Sequence, residues 1–148
     1  MLSRRELSVQ QVHDRLLDRG HAPEDVEAAI ERLLQDGSLD DARVARAYIN
    51  TAVKTKGRGR LRIQRELREM GIAKEIATEA LAESFADVDE RSLIAKALQK
   101  KLHGKTKIDT PAEYARTYQF LMRQGFSPAA ASAALRRYKR SGVADGET

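Results

Sequence analysis

Leu67-Arg68-Glu69-Met70-Gly71-Ile72 decides how the chain is read, because the same layout occurs twice more. Leu16-Leu17-Asp18-Arg19-Gly20-His21 and Leu121-Met122-Arg123-Gln124-Gly125-Phe126 also place a Leu four residues before a Gly. Ten residues after each Gly stands another large aliphatic: Ile30, Leu81 and Leu135. The glycines recur at intervals of 51 and 54 residues, the mark of an internal structural repeat. A Gly closing a helical run is the usual left-handed cap, a conformation that strains a residue bearing a Cβ. Each copy therefore reads as helix, tight turn and second helix folding back.

The flanking residues support that reading. Ser8 with Gln11 three residues on forms a capping box at the start of the helix before Gly20. Thr110, Pro111 and Glu113 give the helix before Gly125 an N-cap, a proline at the first helical position and an acid in the first turn. Pro23 and Pro128 each follow their Gly by three residues, again suited to a helix start. Apolar residues follow helical spacing at Val26, Ala29, Ile30, Leu33 and Leu34, at Tyr114, Tyr118, Leu121 and Met122, and at Ala131, Ala134, Leu135 and Tyr138. Third helices begin near Asp40-Asp41, with Ala45, Tyr48, Ile49 and Ala52 on one face, and near Asp89, with Leu93, Ile94, Ala97, Leu98 and Leu102.

The expected fold is all-α: about eight helices in an elongated, curved array of tandem three-helix repeats, the last incomplete. The boundaries expected are 3–53, 54–107 and 108–142, with 143–148 a disordered tail lacking apolar periodicity. A unit of about 50 residues buries too little apolar surface to stand alone, so neighbours complete each other's cores.

Composition agrees. Of 148 residues 33% are charged and 5% aromatic, which suits a hydrated helical protein better than a sandwich or barrel. With no cysteine, disulfides, thiol nucleophiles and Cys-based zinc sites are excluded. His13, His21 and His103 form no ligand pair at helical spacing, so no metal is expected, and no cofactor. The opening residues have no apolar signal core and no stretch approaches the roughly 20 apolar residues of a membrane span. A soluble, cytoplasmic protein without membrane attachment is expected.

Charge is distributed in alternating blocks. Asp18 to Asp41 carries eight acids against Arg19 and Arg32; Glu75 to Glu90 carries six acids and no base; Lys96 to Lys107 carries five lysines. The central block is the sharpest: Lys54, Lys56, Arg58, Arg60, Arg62, Arg65 and Arg68 are opposed only by Glu66. Arg58, Arg62 and Arg65, at i, i+4 and i+7, are expected on one face of a helix opposite Ile63, Leu67 and Met70. The preceding Lys54–Arg60 segment is expected to be a flexible basic loop able to follow a phosphate backbone. The alternative is a solvated helix face. The net charge of +5 and pI near 9.6 favour a polyanionic partner without choosing one.

Other candidates fail. Gly104-Lys105-Thr106 has Gln99 where a P-loop needs its first Gly. Asp40-Asp41 suits helix capping better than paired-carboxylate chemistry, since adjacent helical residues diverge by about 100°. Tyr48, Tyr114, Tyr118 and Tyr138 sit on apolar stripes and are expected to pack rather than stack bases. Ser84 and Ser92 have no His–Asp arrangement beside them, and no catalytic constellation is present.

Two stretches resemble the RecX family, bacterial regulators of the RecA recombinase. Leu39-Asp40-Asp41-Ala42-Arg43-Val44-Ala45 is similar to the family's Leu-Asp-Asp-x-Arg-aromatic-Ala segment. Lys56 to Ile72 is similar to its Gly-x-Gly-Pro-x-Arg-Ile-x-x-Glu-Leu-x-x-Lys-Gly-Ile segment. Arg4-Arg5-Glu6-Leu7-Ser8 and Leu121 to Phe126 match two further segments more loosely, so the likeness runs from about Arg4 to Tyr138. Arg60 replaces the family's Pro and Val44 its aromatic. The resemblance implies tandem three-helix repeats and a non-enzymatic protein. It implies binding to RecA and its filament on DNA, in the filament groove, with restraint of filament growth, ATP hydrolysis and strand exchange. It assigns no catalytic residue, and leaves Arg58, Arg62 and Arg65 with the adjoining lysines as the expected contacts to single- or double-stranded DNA or to the filament. A stand-alone nucleic-acid-binding module, or a helical adaptor for an acidic protein, would use the same basic face.

Overall fold

The computed structural model describes the backbone of residues 6–147 and the side chains of 6–138. Those residues form eight helices: α1 (Val9–Asp18), α2 (Pro23–Gln35), α3 (Asp41–Lys54), α4 (Arg60–Glu69), α5 (Lys74–Ser84), α6 (Glu90–Lys101), α7 (Pro111–Gln124) and α8 (Pro128–Glu147). The expected all-α repeat is present, with Pro23, Pro111 and Pro128 each opening its helix. Gly20, Gly71 and Gly125 all take the left-handed conformation, at φ of 94°, 83° and 102°.

The chain divides into two compact units. One joins the residues up to 51 with 64–84; the other joins 52–63 with 85 onward. In the first, α1 begins with the expected capping box: Gln11 N–H donates to Ser8 Oγ at 3.1 Å, and Ser8 N–H donates to Gln11 Oε1 at 2.9 Å. Ser8 is fully buried, and its hydroxyl donates to the Met70 carbonyl, so the cap also ties α1 to the end of α4. Val26, Ile30 and Leu39 are buried together, with Val9, Val12, Leu16 and Leu33 packed against them. Leu34, placed by spacing on the same apolar face of α2, is 48% exposed; it lies at the edge of the stripe, next to the turn at Gly37.

The Leu39–Ala45 motif has a structural explanation at nearly every position. Asp40 Oδ1 accepts from the N–H groups of Ala42 and Arg43, capping α3. Asp41 Oδ1 accepts from Val9 N–H at 2.9 Å. Arg43 donates to the carbonyls of Gly37 and Ser38, each at 3.0 Å, and pairs with Glu6 at 2.8 Å. Leu39, Val44 and Ala45 are buried. The capping role expected for Asp40-Asp41 is thus divided, with Asp40 capping locally and Asp41 bridging to α1.

In the second unit, Ile94, Leu98, Leu102, Ile108, Leu121, Phe126, Ala131, Ala134 and Leu135 make one core shared by α6, α7 and α8. Glu90, the first residue of α6, accepts from Ser127 N–H at 3.0 Å and from its hydroxyl at 3.3 Å, fixing the start of α8. Residues 85–107 lie in the same compact unit as α7 and α8, where the fully buried Ile94 and Leu98 share one core with the fully buried Leu121 and Leu135. The span of α8 runs to Glu147, and Thr148 lies outside the described residues.

Candidate nucleic-acid interface

The seven basic residues singled out by charge do not form one helical face. Residues 54–62 belong to the unit containing α6–α8, whereas Arg65 and Arg68 belong to the other. Lys54 ends α3, Lys56 and Arg58 lie between helices, and α4 begins only at Arg60. Arg58 is therefore not in register with Arg62 and Arg65 on a helix, which corrects the expected i, i+4, i+7 stripe. The reason lies at Gly59. A Cβ there would come within 2.5 Å of the Gly125 carbonyl carbon and 2.8 Å of Phe126 Cδ1, so the chain passes directly against the end of α7 before it turns into α4. Ile63 and Leu67 are fully buried as expected.

The segment expected to be a flexible loop is held by hydrogen bonds from Lys56 onward. Arg58 N–H donates to the Ala52 carbonyl at 2.9 Å, Gly59 N–H to the Gln124 carbonyl at 2.7 Å, and Leu61 N–H to the Gly125 carbonyl at 3.0 Å. Gln124 Nε2 donates to the Gly57 carbonyl at 3.3 Å. Arg62 turns toward α7, donating to the Arg123 carbonyl at 3.3 Å and to Gln124 Oε1 at 3.2 Å. A guanidinium on the last carbonyls of α7 complements the negative end of that helix, so Arg62 has a structural task here. Arg60 lies over the Phe85 ring at 5.6 Å from its centroid. Arg65 is exposed and sits 4.0 Å from Glu69 on the next turn, and Arg68 is exposed.

The lysines behave differently. Lys54 and Lys56 are exposed and border a groove of about 540 Å³ whose opposite wall is α6. Lys96 and Lys100 stand on that wall. These four lie in separate basic blocks about forty residues apart in the chain, and the fold brings them to one groove. The signal was nevertheless present, since Leu93, Lys96, Ala97 and Lys100 form an i, i+3, i+4, i+7 stripe beside the buried stripe of Ile94 and Leu98. Lys105, from the same basic block, is engaged otherwise. It pairs with Glu113 at 2.8 Å and Asp109 at 3.3 Å, and its hydrogen bond to Glu113 raises the ammonium above the usual lysine range. The same bond, with the Asp109 N–H, holds the Glu113 carboxyl below its usual range.

Tyr48 donates to Glu66 Oε1 at 2.6 Å, and Tyr114, Tyr118 and Tyr138 pack against the α6–α8 core, as their apolar spacing implied. Among the described residues no cluster of His, Asp and Glu is arranged to hold a metal ion, and no helix is long and apolar enough to cross a membrane.

Fold and surface together define a class: an all-α protein of tandem three-helix domains that displays basic side chains beside a helical core. Three consecutive family models match it: the first three-helix domain of RecX over residues 1–33, the second over 40–81 and the third over 89–135. The chain belongs to the RecX family. The regulatory protein RecX of Vibrio parahaemolyticus is 36% identical over 127 residues, covering 86% of this chain and 79% of that one. Those of Chromohalobacter salexigens (32% over 126 residues, covering 85% and 80%) and Halorhodospira halophila (35% over 127 residues, covering 86% and 76%) are similar relatives. The crystal structure of RecX from Lactobacillus salivarius shares the fold, with a TM-score of 0.68, at 20% identity over 89% of this chain and 85% of that one.

The third family domain spans α6 and α7 and enters α8, in agreement with their common core. Arg60, which stands where the family pattern has Pro, is the first residue of α4. Proline suits that position because its N–H would lack a partner within the helix, so the substitution leaves the helix start intact.

Proposed function

We propose that this protein is a non-enzymatic regulator that binds RecA and its filament on DNA and restrains filament growth, ATP hydrolysis and strand exchange during recombination and repair. The observation that carries the reading is the succession of three RecX domains along one chain, with relatives named as regulatory proteins. It acts in the cytoplasm, where RecA filaments form, and requires neither metal nor cofactor. Its basic side chains contact the DNA within the filament, while the helical domains engage RecA protomers.

The test is RecA-driven ATP hydrolysis and filament extension on single-stranded DNA, with this protein added well below the amount that coats the DNA. Slowed extension and reduced hydrolysis are expected, because one bound molecule acts on many protomers. An effect that appears only when free DNA is saturated would overturn the RecA reading in favour of a stand-alone nucleic-acid-binding module.

A further inference from the structure

The groove between the 54–57 segment and α6 combines features that point to a particular ligand. It lies wholly within one compact unit and has a volume of about 540 Å³. Lys54, Lys56, Lys96 and Lys100 line it, all exposed, and no acidic residue does. None of the four makes an ion pair among the described residues, in contrast to Lys105 with its two carboxylates and Arg65 with Glu69. Between the lysines the floor is apolar, built from Val53, Leu93, Ala97 and Phe120. Lys101, which is not among the lining residues, lies over the Phe120 ring at 5.1 Å from its centroid.

Both walls are anchored to the unit's core. The 54–57 segment is fastened to Gln124 through the Gly57 carbonyl, and α6 is anchored by the buried Ile94 and Leu98. Four ammonium groups that line one groove with no acidic residue in its lining repel one another, and an anion that bridges them relieves that cost.

We propose that this groove is a cradle for a segment of single-stranded nucleic acid, its phosphodiesters meeting Lys54 and Lys56 on one side and Lys96 and Lys100 on the other. Charge complementarity selects a polyanion, and the apolar floor selects among polyanions. Bases in a duplex are stacked on each other and turn phosphates and polar edges outward, leaving a phenyl ring and aliphatic floor without a partner. Unpaired bases have free faces for such a surface. The inference deepens the proposed function by naming the surface that meets the strand, but the binding it describes does not require RecA.

The experiment uses the full chain without RecA and a fluorescent dT oligonucleotide, with affinity followed by anisotropy from low to moderate salt. Lys96→Ala/Lys100→Ala and Lys54→Ala/Lys56→Ala are compared with Arg32→Ala/Arg46→Ala, which removes the same charge from exposed positions of the other unit. Each lysine pair is expected to lower the salt slope by about 1.4, two contacts at about 0.7 each for single strands, while the arginine pair leaves it within error. Lys96→Arg/Lys100→Arg should restore binding, and circular dichroism melts should be unchanged because all the altered side chains are exposed. Equal losses from all three pairs would overturn the proposal in favour of diffuse attraction. A duplex of equal length, or a poly-glutamate peptide of equal charge, competing as well as dT would overturn the choice of ligand. RecA ATPase assays on the same variants separate this proposal from the proposed function. Unchanged oligonucleotide binding with lost inhibition would sink the groove alone; wild-type inhibition absent at substoichiometric ratios, with the groove effects intact, would sink the RecA reading alone.

Discussion

Replacing Gly71 by Ala tests whether the end of α4 is packed against α1 as the structure has it. At φ 83° an alanine is strained by about 1–2 kcal/mol, partly offset by about 0.4–1 kcal/mol because the unfolded chain loses freedom. Its Cβ would also stand 2.3 Å from Gln10 Cβ and 2.7 Å from Gln10 Cγ, far inside the 3.5–4.0 Å of ordinary carbon contact. Since Gln10 Cβ is fixed to the helix backbone, α1 or the turn must shift, at the overpacking cost of about 1–3 kcal/mol. Gly20 supplies the control in the same unit: its φ is 94°, yet a Cβ there meets nothing within 4 Å. Gly20→Ala is therefore expected to cost about 0.5–1 kcal/mol and Gly71→Ala about 2–4 kcal/mol, a difference worth several degrees in Tm. Urea melts followed by circular dichroism measure both. A double-mutant cycle with Gln10→Gly, which removes the clashing atom, should recover about 1–2 kcal/mol beyond additivity. Equal losses for the two alanine variants, or an additive cycle, would show that Gly71 and Gln10 are not in contact and refute the reasoning.

Three further outcomes are expected. Gly59→Ala should destabilise by overpacking, about 1–3 kcal/mol, because its new Cβ meets the Gly125 backbone rather than a side chain able to rotate away; thermal melts check this. Arg43→Ala should lower the urea midpoint by the equivalent of about 1 kcal/mol, since it unpairs Glu6 and releases two carbonyls at a half-exposed site. Glu113→Gln should lower Tm at neutral pH by removing the partner of Lys105. The depressed carboxyl stabilises above its ordinary value and loses that contribution as pH falls through its folded value, while the raised Lys105 keeps its contribution until the lysine range is passed. The gap between Gln variant and parent should therefore close in acid, and melts at stepped pH would detect a gap that did not.

The sequence by itself determined the features set by neighbours a few residues apart. Ser8 with Gln11, Thr110 with Glu113, the three prolines and the left-handed Gly20, Gly71 and Gly125 all act within one or two helical turns, so spacing alone revealed them. The buried stripes of α3 and α6 were legible for the same reason. Family membership was legible too, because Leu39–Ala45 and Lys56–Ile72 carry it in consecutive residues; the structure adds that Asp40, Asp41 and Arg43 act there as caps and clamps. Tertiary structure alone decided what depends on residues far apart in the chain. The carbonyl of Arg123 claims Arg62 from 61 positions away, and Gly125 bends the chain at Gly59 so that Arg58 falls outside the helix. The cores of α7 and α8 draw α6 into their unit. Local periodicity says which face of a helix is apolar, but not which neighbour will cover it; that depends on the competing ways of burying the same surface, and only the folded chain resolves them. The same holds for Lys54, Lys56, Lys96 and Lys100, whose charges line one groove because the backbone, not the spacing of basic residues, brings them there.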